Sequence, residues 1–212
     1  MSVHHVLRSK SRHLPSILAL AAAICLAGCD ASTTPGNPNV PAGAKSSGGK
    51  HAVIETDQGA IEIELFESDA PKAVENFRLL AEHGYYDGLT FHRVVRGFMI
   101  QGGDPAGDGT GGQSAWGAPF ADNINPQLPL YRGGYRRGLV AMANRGPNTN
   151  GSQFFILHHD YPLPPQYVIF ARVTQGIEVV DAIAGTKTTI GGDGDMSRPV
   201  TPQVIRKVTV RP

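Results

Sequence analysis

From about Lys50 onward the chain is cut into short apolar segments by glycine-rich turns, and this limits the folds open to it more than any other feature. Val53-Ile54-Glu55-Thr56 and the run Ala60–Leu65 flank Asp57-Gln58-Gly59. In the second run Ile61, Ile63 and Leu65 alternate with Glu62 and Glu64, the period of a half-buried strand, so the pair predicts a hairpin. Further strands are expected at Leu89–Val95, Phe98–Gln101, Leu139–Ala143, Gln153–Leu157, Val168–Val173 and Val204–Val210. Two stretches read as helices. One opens at Asp69-Ala70-Pro71, with Pro in the first turn where its missing N–H costs nothing. Its apolar stripe is Ala73, Val74, Phe77, Leu80 and Ala81, and Gly84 is the stop signal. The other covers Ile177–Ile183. Two helices are too few to flank a parallel sheet. The expectation is a mainly β domain, a closed antiparallel eight-stranded barrel capped by two α-helices, because closure removes exposed edges.

Both cysteines, Cys25 and Cys29, precede this domain. No disulfide can staple it, and neither thiolate-bound metal nor a cysteine nucleophile is available to it. Arg8, Lys10 and Arg12 lie in the first 29 residues with no acid. The remaining 16 basic and 18 acidic residues leave a net charge of −2, so there is no electrostatic footprint for nucleic acid.

The N-terminal segment reads as an address. Ile17–Ala27 is an apolar run of 11 residues. A spanning helix needs about 20, so a signal-peptide core fits better. The run ends in Leu26-Ala27-Gly28-Cys29, which resembles a bacterial lipobox. That resemblance implies a signal peptide over residues 1–28, cleaved so that Cys29 is acylated, and an ordinary secretory signal is the alternative. Asp30 resembles the inner-membrane retention signal of some Gram-negative bacteria. Residues 29–49 are rich in Ser, Thr, Pro, Gly and Asn, which predicts a flexible tether from lipid to a domain over residues 50–212. The expected location is the bacterial cell envelope, lipid-anchored and facing the periplasm or the outer side of the cytoplasmic membrane.

Three runs carry the chemistry: Phe91-His92-Arg93-Val94-Val95-Arg96-Gly97-Phe98-Met99-Ile100-Gln101-Gly102-Gly103-Asp104, then Met142-Ala143-Asn144, then Gly146-Pro147-Asn148-Thr149-Asn150-Gly151-Ser152-Gln153-Phe154-Phe155-Ile156. They offer a permanent cation with a planar fork of donors, large apolar side chains, and amides that both donate and accept. This mixture suits an amide substrate with an apolar ring and contains no nucleophile–base pair. Taken singly, Phe98, Met99 and Phe155 read as core, and Arg93 as a surface charge.

Taken jointly, the runs resemble the cyclophilin family of peptidyl-prolyl cis–trans isomerases in order and spacing. The resemblance implies a shallow groove that binds an Xaa-Pro segment. In it Arg93 would be catalytic, and Phe98, Met99, Phe155, Leu163 and Tyr167 would line the proline pocket. Ala143 and Asn144 would meet the substrate backbone, Gln101 would orient Arg93, and Gln153 would bind the peptide. No cofactor and no metal are implied. The partners would be Xaa-Pro segments of exported proteins and, through the lipid, a membrane. Nothing demands an oligomer, and a monomer is expected. A non-catalytic module that binds proline-containing peptides is the second reading.

Some stretches depart from the family or carry no reading of their own. Pro162 stands where many members have Trp or Phe, with Tyr161 beside it, and Arg96 stands where the family often has Pro. Residues three apart on a regular strand face opposite ways, so Arg93 and Arg96 cannot share the groove. The stretch Gln127–Arg137, with Tyr131, Tyr135 and three arginines, reads as a solvated loop, or else as a contact for anionic lipid or acidic clients. His158-His159-Asp160 is a poor ligand set because neighbours on a strand point apart, and Asp193-Gly194-Asp195 is too short for a calcium loop.

Overall fold

The computed structural model describes residues 36–212. Cys25, Cys29 and the expected signal segment lie outside the described residues. The first hairpin forms as the alternation requires: β1 (His51–Thr56) pairs with β2 (Gly59–Leu65), and Ile61, Ile63 and Leu65 are buried. Helix α1 (Pro71–Glu82) buries the expected stripe and also Asn76 and Arg78. Ala70, the residue before the helix, makes no side-chain cap, and Pro71 supplies the start.

The remaining strands are β3 (Arg93–Val95), β4 (Met99–Gly102), β5 (Leu139–Met142), β6 (Phe154–Leu157), β7 (Ile169–Gln175) and β10 (Ile205–Arg211). With β1 and β2 they form one eight-stranded antiparallel sheet in the order β10-β1-β2-β7-β5-β6-β4-β3. The sheet curls around a core of Ile54, Ile63, Phe77, Phe154 and Phe170. The aromatic rings of Phe77 and Phe154 meet edge to face at 5.7 Å.

The expected closed barrel is corrected to a curled half-barrel. Leu89–Val95 does not pair as one strand. Its second half, β3, pairs with β4, while its first half turns to the segment before β10. There the two ends of the sheet touch at the single bridge Thr90–Val204, and the ladder does not continue. One short stretch divided between two partners is too little to close the sheet.

Three further differences stand out. Pro129–Arg132 forms a short helix, α2, so the described residues hold three helices with α3 (Ile177–Ala184). A separate hairpin, β8 (Thr188–Ile190) with β9 (Met196–Pro199), stands beside β3. Residues 36–49, part of the expected tether, pack against the domain. Val40 joins the core, Asn37 Nδ2 donates to Ser114 O at 3.0 Å, and Ser46 and Ser47 donate to Glu75 and Glu82 of α1. Buried Arg78 donates from Nε to Gly49 O at 2.6 Å.

Candidate active site

Strand alternation divides β3, β4 and β6 between two faces. Val94, Ile100, Phe154 and Ile156 enter the main core, while Met99, Phe155 and Leu157 enter a second apolar cluster on the outer face. Register then sets a row on that outer face. Arg93 lies opposite Gln101, and Gln101 opposite Phe155. Gly97, at φ +87°, makes the tight turn that returns β3 to β4.

A polar chain runs along this row. Arg93 Nη1 donates to Gln101 Oε1 at 3.5 Å and lies 3.8 Å from Met99 Sδ. Gln101 Nε2 donates to Gln153 Oε1 at 2.9 Å. Gln153 Nε2 donates in turn to Gly109 O at 3.1 Å and Gly111 O at 2.8 Å. Each amide is thereby fixed in one orientation, with its donor end toward the next acceptor.

Beside the chain lies the apolar cluster. Met99 and Phe155 are buried at its floor, and Phe98, Leu163 and Tyr167 are half-buried around them. Phe155 meets Tyr167 edge to face at 5.5 Å and lies tilted against Phe98 at 6.4 Å. Tyr161 stacks on Phe98 at 4.1 Å, so the aromatic beside Pro162 covers the outer wall. In the stretch Gln127–Arg137 the three arginines are exposed, as a solvated loop requires, but the two tyrosines pack inward. Tyr135 is buried, donates to Tyr167 O at 2.7 Å and accepts from Tyr167 N at 3.0 Å, while Tyr131 accepts from Ile169 N at 3.1 Å. Burial pushes the Tyr135 hydroxyl far above its usual range, which keeps it a donor.

Ala143 and Asn144 follow β5 and line a cavity of about 340 Å³ with Gln101 and Gln153. Asn144 Nδ2 donates to Gln166 O at 2.8 Å, which ties this edge to the loop carrying Tyr167. On the other side of Gln101 a cavity of about 390 Å³ is lined by Arg93, His92, Asp108 and Asp193. Arg96 does not join either. It lines a separate cavity with Arg137, His158 and Asp181.

Sequence reasoning assigned no role at the site to two side chains. Tyr161 stands beside the position where the family has an aromatic, and that neighbourhood is its only signal. Asp193 carries no such signal: it is distant in sequence, yet its Oδ2 accepts from Arg93 Nε at 2.6 Å. Burial works to raise the Asp193 carboxyl, but hydrogen bonds from Arg93, Ser197 and the Asp195 amide outweigh it and hold it at about 2. His92 is held below its usual range by burial, against the pull of Asp104.

Against this geometry the comparisons with known proteins are direct. The family model described as cyclophilin type peptidyl-prolyl cis-trans isomerase/CLD matches residues 51–210. The chain belongs to this cyclophilin family. A peptidyl-prolyl cis-trans isomerase of Arabidopsis thaliana is 47% identical to it over 158 residues, covering 74% of this chain and 93% of that relative. Peptidyl-prolyl cis-trans isomerase 9 of Schizosaccharomyces pombe is 48% identical over 163 residues, covering 76% of this chain. The cyclophilin spans only 25% of that longer relative. Among solved structures, a cyclophilin type peptidyl-prolyl cis-trans isomerase of Cryptosporidium parvum matches with a TM-score of 0.69 and 38% identity, over 77% of this chain and 98% of the other. A second structure of that protein was determined in the presence of the dipeptide Ala-Pro. The cyclophilin thus has the fold and the activity class of a prolyl isomerase, and its outer-face cluster is the region where Arg93 meets apolar side chains.

Proposed function

We propose that this isomerase acts on Xaa-Pro bonds of exported proteins with Arg93 as its catalytic donor. In this reading Phe98, Met99, Phe155, Leu163 and Tyr167 hold the proline ring. Ala143 and Asn144 meet the peptide backbone, and Gln101 and Gln153 orient the arginine and the chain. The observation that carries it is the fixed polar row Arg93–Gln101–Gln153 running along the edge of the apolar cluster. The Ala-Pro dipeptide present with the Cryptosporidium parvum relative supports the substrate class.

The chemistry follows from the bond itself. Partial double-bond character sets a rotation barrier of about 18–20 kcal/mol. Uncatalysed Xaa-Pro exchange takes roughly tens to hundreds of seconds. At the twisted geometry resonance is lost, and the prolyl nitrogen becomes an amine with a free lone pair. A guanidinium N–H aimed at that lone pair stabilises the twisted form more than the planar one, and that difference is catalysis. The apolar wall fixes the ring and keeps water from competing for the donor. The reaction calls for no cofactor, metal or covalent intermediate.

The envelope location rests on residues 17–30 alone, since the relatives above are eukaryotic. In this reading Cys29 carries the lipid, residues near it form the tether, and the domain works as a monomer beside the membrane. The intact mass of the mature protein tests this: an unmodified N-terminus would overturn it. The full chain in detergent micelles tests the function. It should accelerate cis–trans exchange of an Ala-Pro peptide. Peptide binding without acceleration would instead make the groove a non-catalytic proline-peptide module.

A further inference from the structure

We propose that Asp193, at the turn of the β8–β9 hairpin, is a positioning residue for the isomerisation: it fixes Arg93 by its Nε edge and leaves the far guanidinium nitrogen for the substrate. The inference rests on Arg93 being the catalytic donor.

An arginine side chain has four rotatable bonds, and its guanidinium helps only if the correct N–H points at the prolyl nitrogen. Two of its three nitrogens are engaged. Asp193 Oδ2 takes the Nε proton at 2.6 Å, and Gln101 Oε1 takes one from Nη1 at 3.5 Å. Among the described residues, Nη2 donates to no acceptor. The Asp193 contact is the shorter and the charge-assisted one, so it fixes the plane of the guanidinium more firmly than Gln101 does.

The hairpin is built to hold this carboxylate. Its other oxygen, Oδ1, accepts from Ser197 Oγ at 2.6 Å and from Asp195 N at 3.1 Å. The turn is closed by Gly191 N donating to Asp195 O at 2.8 Å. A Cβ on Gly191 would run into Ser197 Oγ and Asp193 Oδ1, so the turn accepts no larger residue there without moving the carboxylate. The pair is also partly sheltered. The Arg93 and Asp193 side chains are 30% and 25% exposed, against 64% and 57% for Arg136 and Asp160 on the surface. A fully exposed pair is worth little, whereas a partly sheltered and doubly supported one restricts geometry. The carboxyl is held at about 2 and so stays charged across the assay range.

The test uses the full chain and a saturable Ala-Pro peptide assay. Asp193→Ala should lower kcat about tenfold with KM changed less than about twofold. Asp193→Asn keeps an acceptor for the Nε proton and should recover kcat to within about threefold of the unsubstituted protein. Ile190→Ala with Met196→Ala trims an exposed cross-strand pair of the same hairpin but leaves the hydrogen bonds that hold Asp193 in place, and should leave kcat unchanged. In an Arg93→Ala background, Asp193→Ala should have no further effect. The inference is overturned if Asp193→Ala keeps full kcat while Arg93→Ala is inactive, if the hairpin variant loses as much as Asp193→Ala, or if the effect persists without Arg93. Full turnover by Arg93→Ala would instead overturn the catalytic reading on which it rests.

Discussion

Gln153→Glu puts an oxygen where the site needs a donor. Gln153 is 8% exposed. Its Nε2 serves Gly109 O and Gly111 O, and its Oε1 serves Gln101 Nε2. Once ionised, the introduced carboxylate gives up both donated bonds, at about 0.5–1.5 kcal/mol each. It also sets a desolvated charge against two carbonyl oxygens, for about another 1–3 kcal/mol. The sum is about 2–6 kcal/mol at neutral pH. Taking about 4 kcal/mol at about 2–4 °C per kcal/mol, Tm falls by about 8–16 °C. When protonated, the introduced carboxyl has one O–H and restores one bond, so its folded pKa lies above the unfolded value of about 4.3. The folded state then binds the proton more tightly than the unfolded state, and stability falls as pH rises above that value. Thermal unfolding of both proteins from pH 4 to pH 8 measures this. The deficit should shrink towards pH 4. Equal stability at pH 7, or a deficit independent of pH, would refute the polar-row geometry.

Tyr135→Phe removes both hydrogen bonds to Tyr167 and should cost about 1–3 kcal/mol in chemical unfolding. Because Tyr167 walls the apolar cluster, KM for an Ala-Pro peptide should rise while kcat holds, and an unchanged KM would count against that wall. His92 is held neutral by burial, so its folded pKa lies below the unfolded value. Its contribution is fully present above about pH 6.5 and is lost as pH falls through the folded pKa. His92→Asn should therefore flatten the acid side of the stability profile, and an unchanged slope would contradict the assignment. Asp193 has the same sense at lower pH. Held at about 2, it contributes no change between pH 5 and pH 8.

What could be read from the sequence followed period and local signals. The alternation of Ile61, Ile63 and Leu65 gave the hairpin, and the stripe from Ala73 to Ala81 gave α1. The three motif runs gave β3, β4, β6 and, of the outer-face cluster, Val95, Phe98, Met99, Ala143 and Phe155. Long-range choices were hidden. Nothing local says that Leu89–Phe91 leaves β3 to meet the segment before β10, and that division is what keeps the barrel from closing. The docking of residues 36–49 relies on hydrogen bonds from Asn37, Ser46 and Ser47, whose composition also suits a free linker. Helix α2 is a single turn, too short to show a period. The β8–β9 hairpin carries exposed Ile190 and Met196 instead of an alternating buried face, so its strands left no pattern. Asp193 meets Arg93 only because the fold brings together residues 100 apart in the chain.

The central claim is that one guanidinium, Arg93, stabilises the twisted prolyl bond. The direct measurement is the cis–trans exchange rate of an Ala-Pro peptide with Arg93→Ala beside Arg96→Ala, peptide binding being followed in both. Arg93→Ala should lose at least about a hundredfold in turnover while still binding peptide. Arg96→Ala, altering an exposed residue at a separate cavity, should stay near the unsubstituted rate. Full turnover by Arg93→Ala would contradict the account.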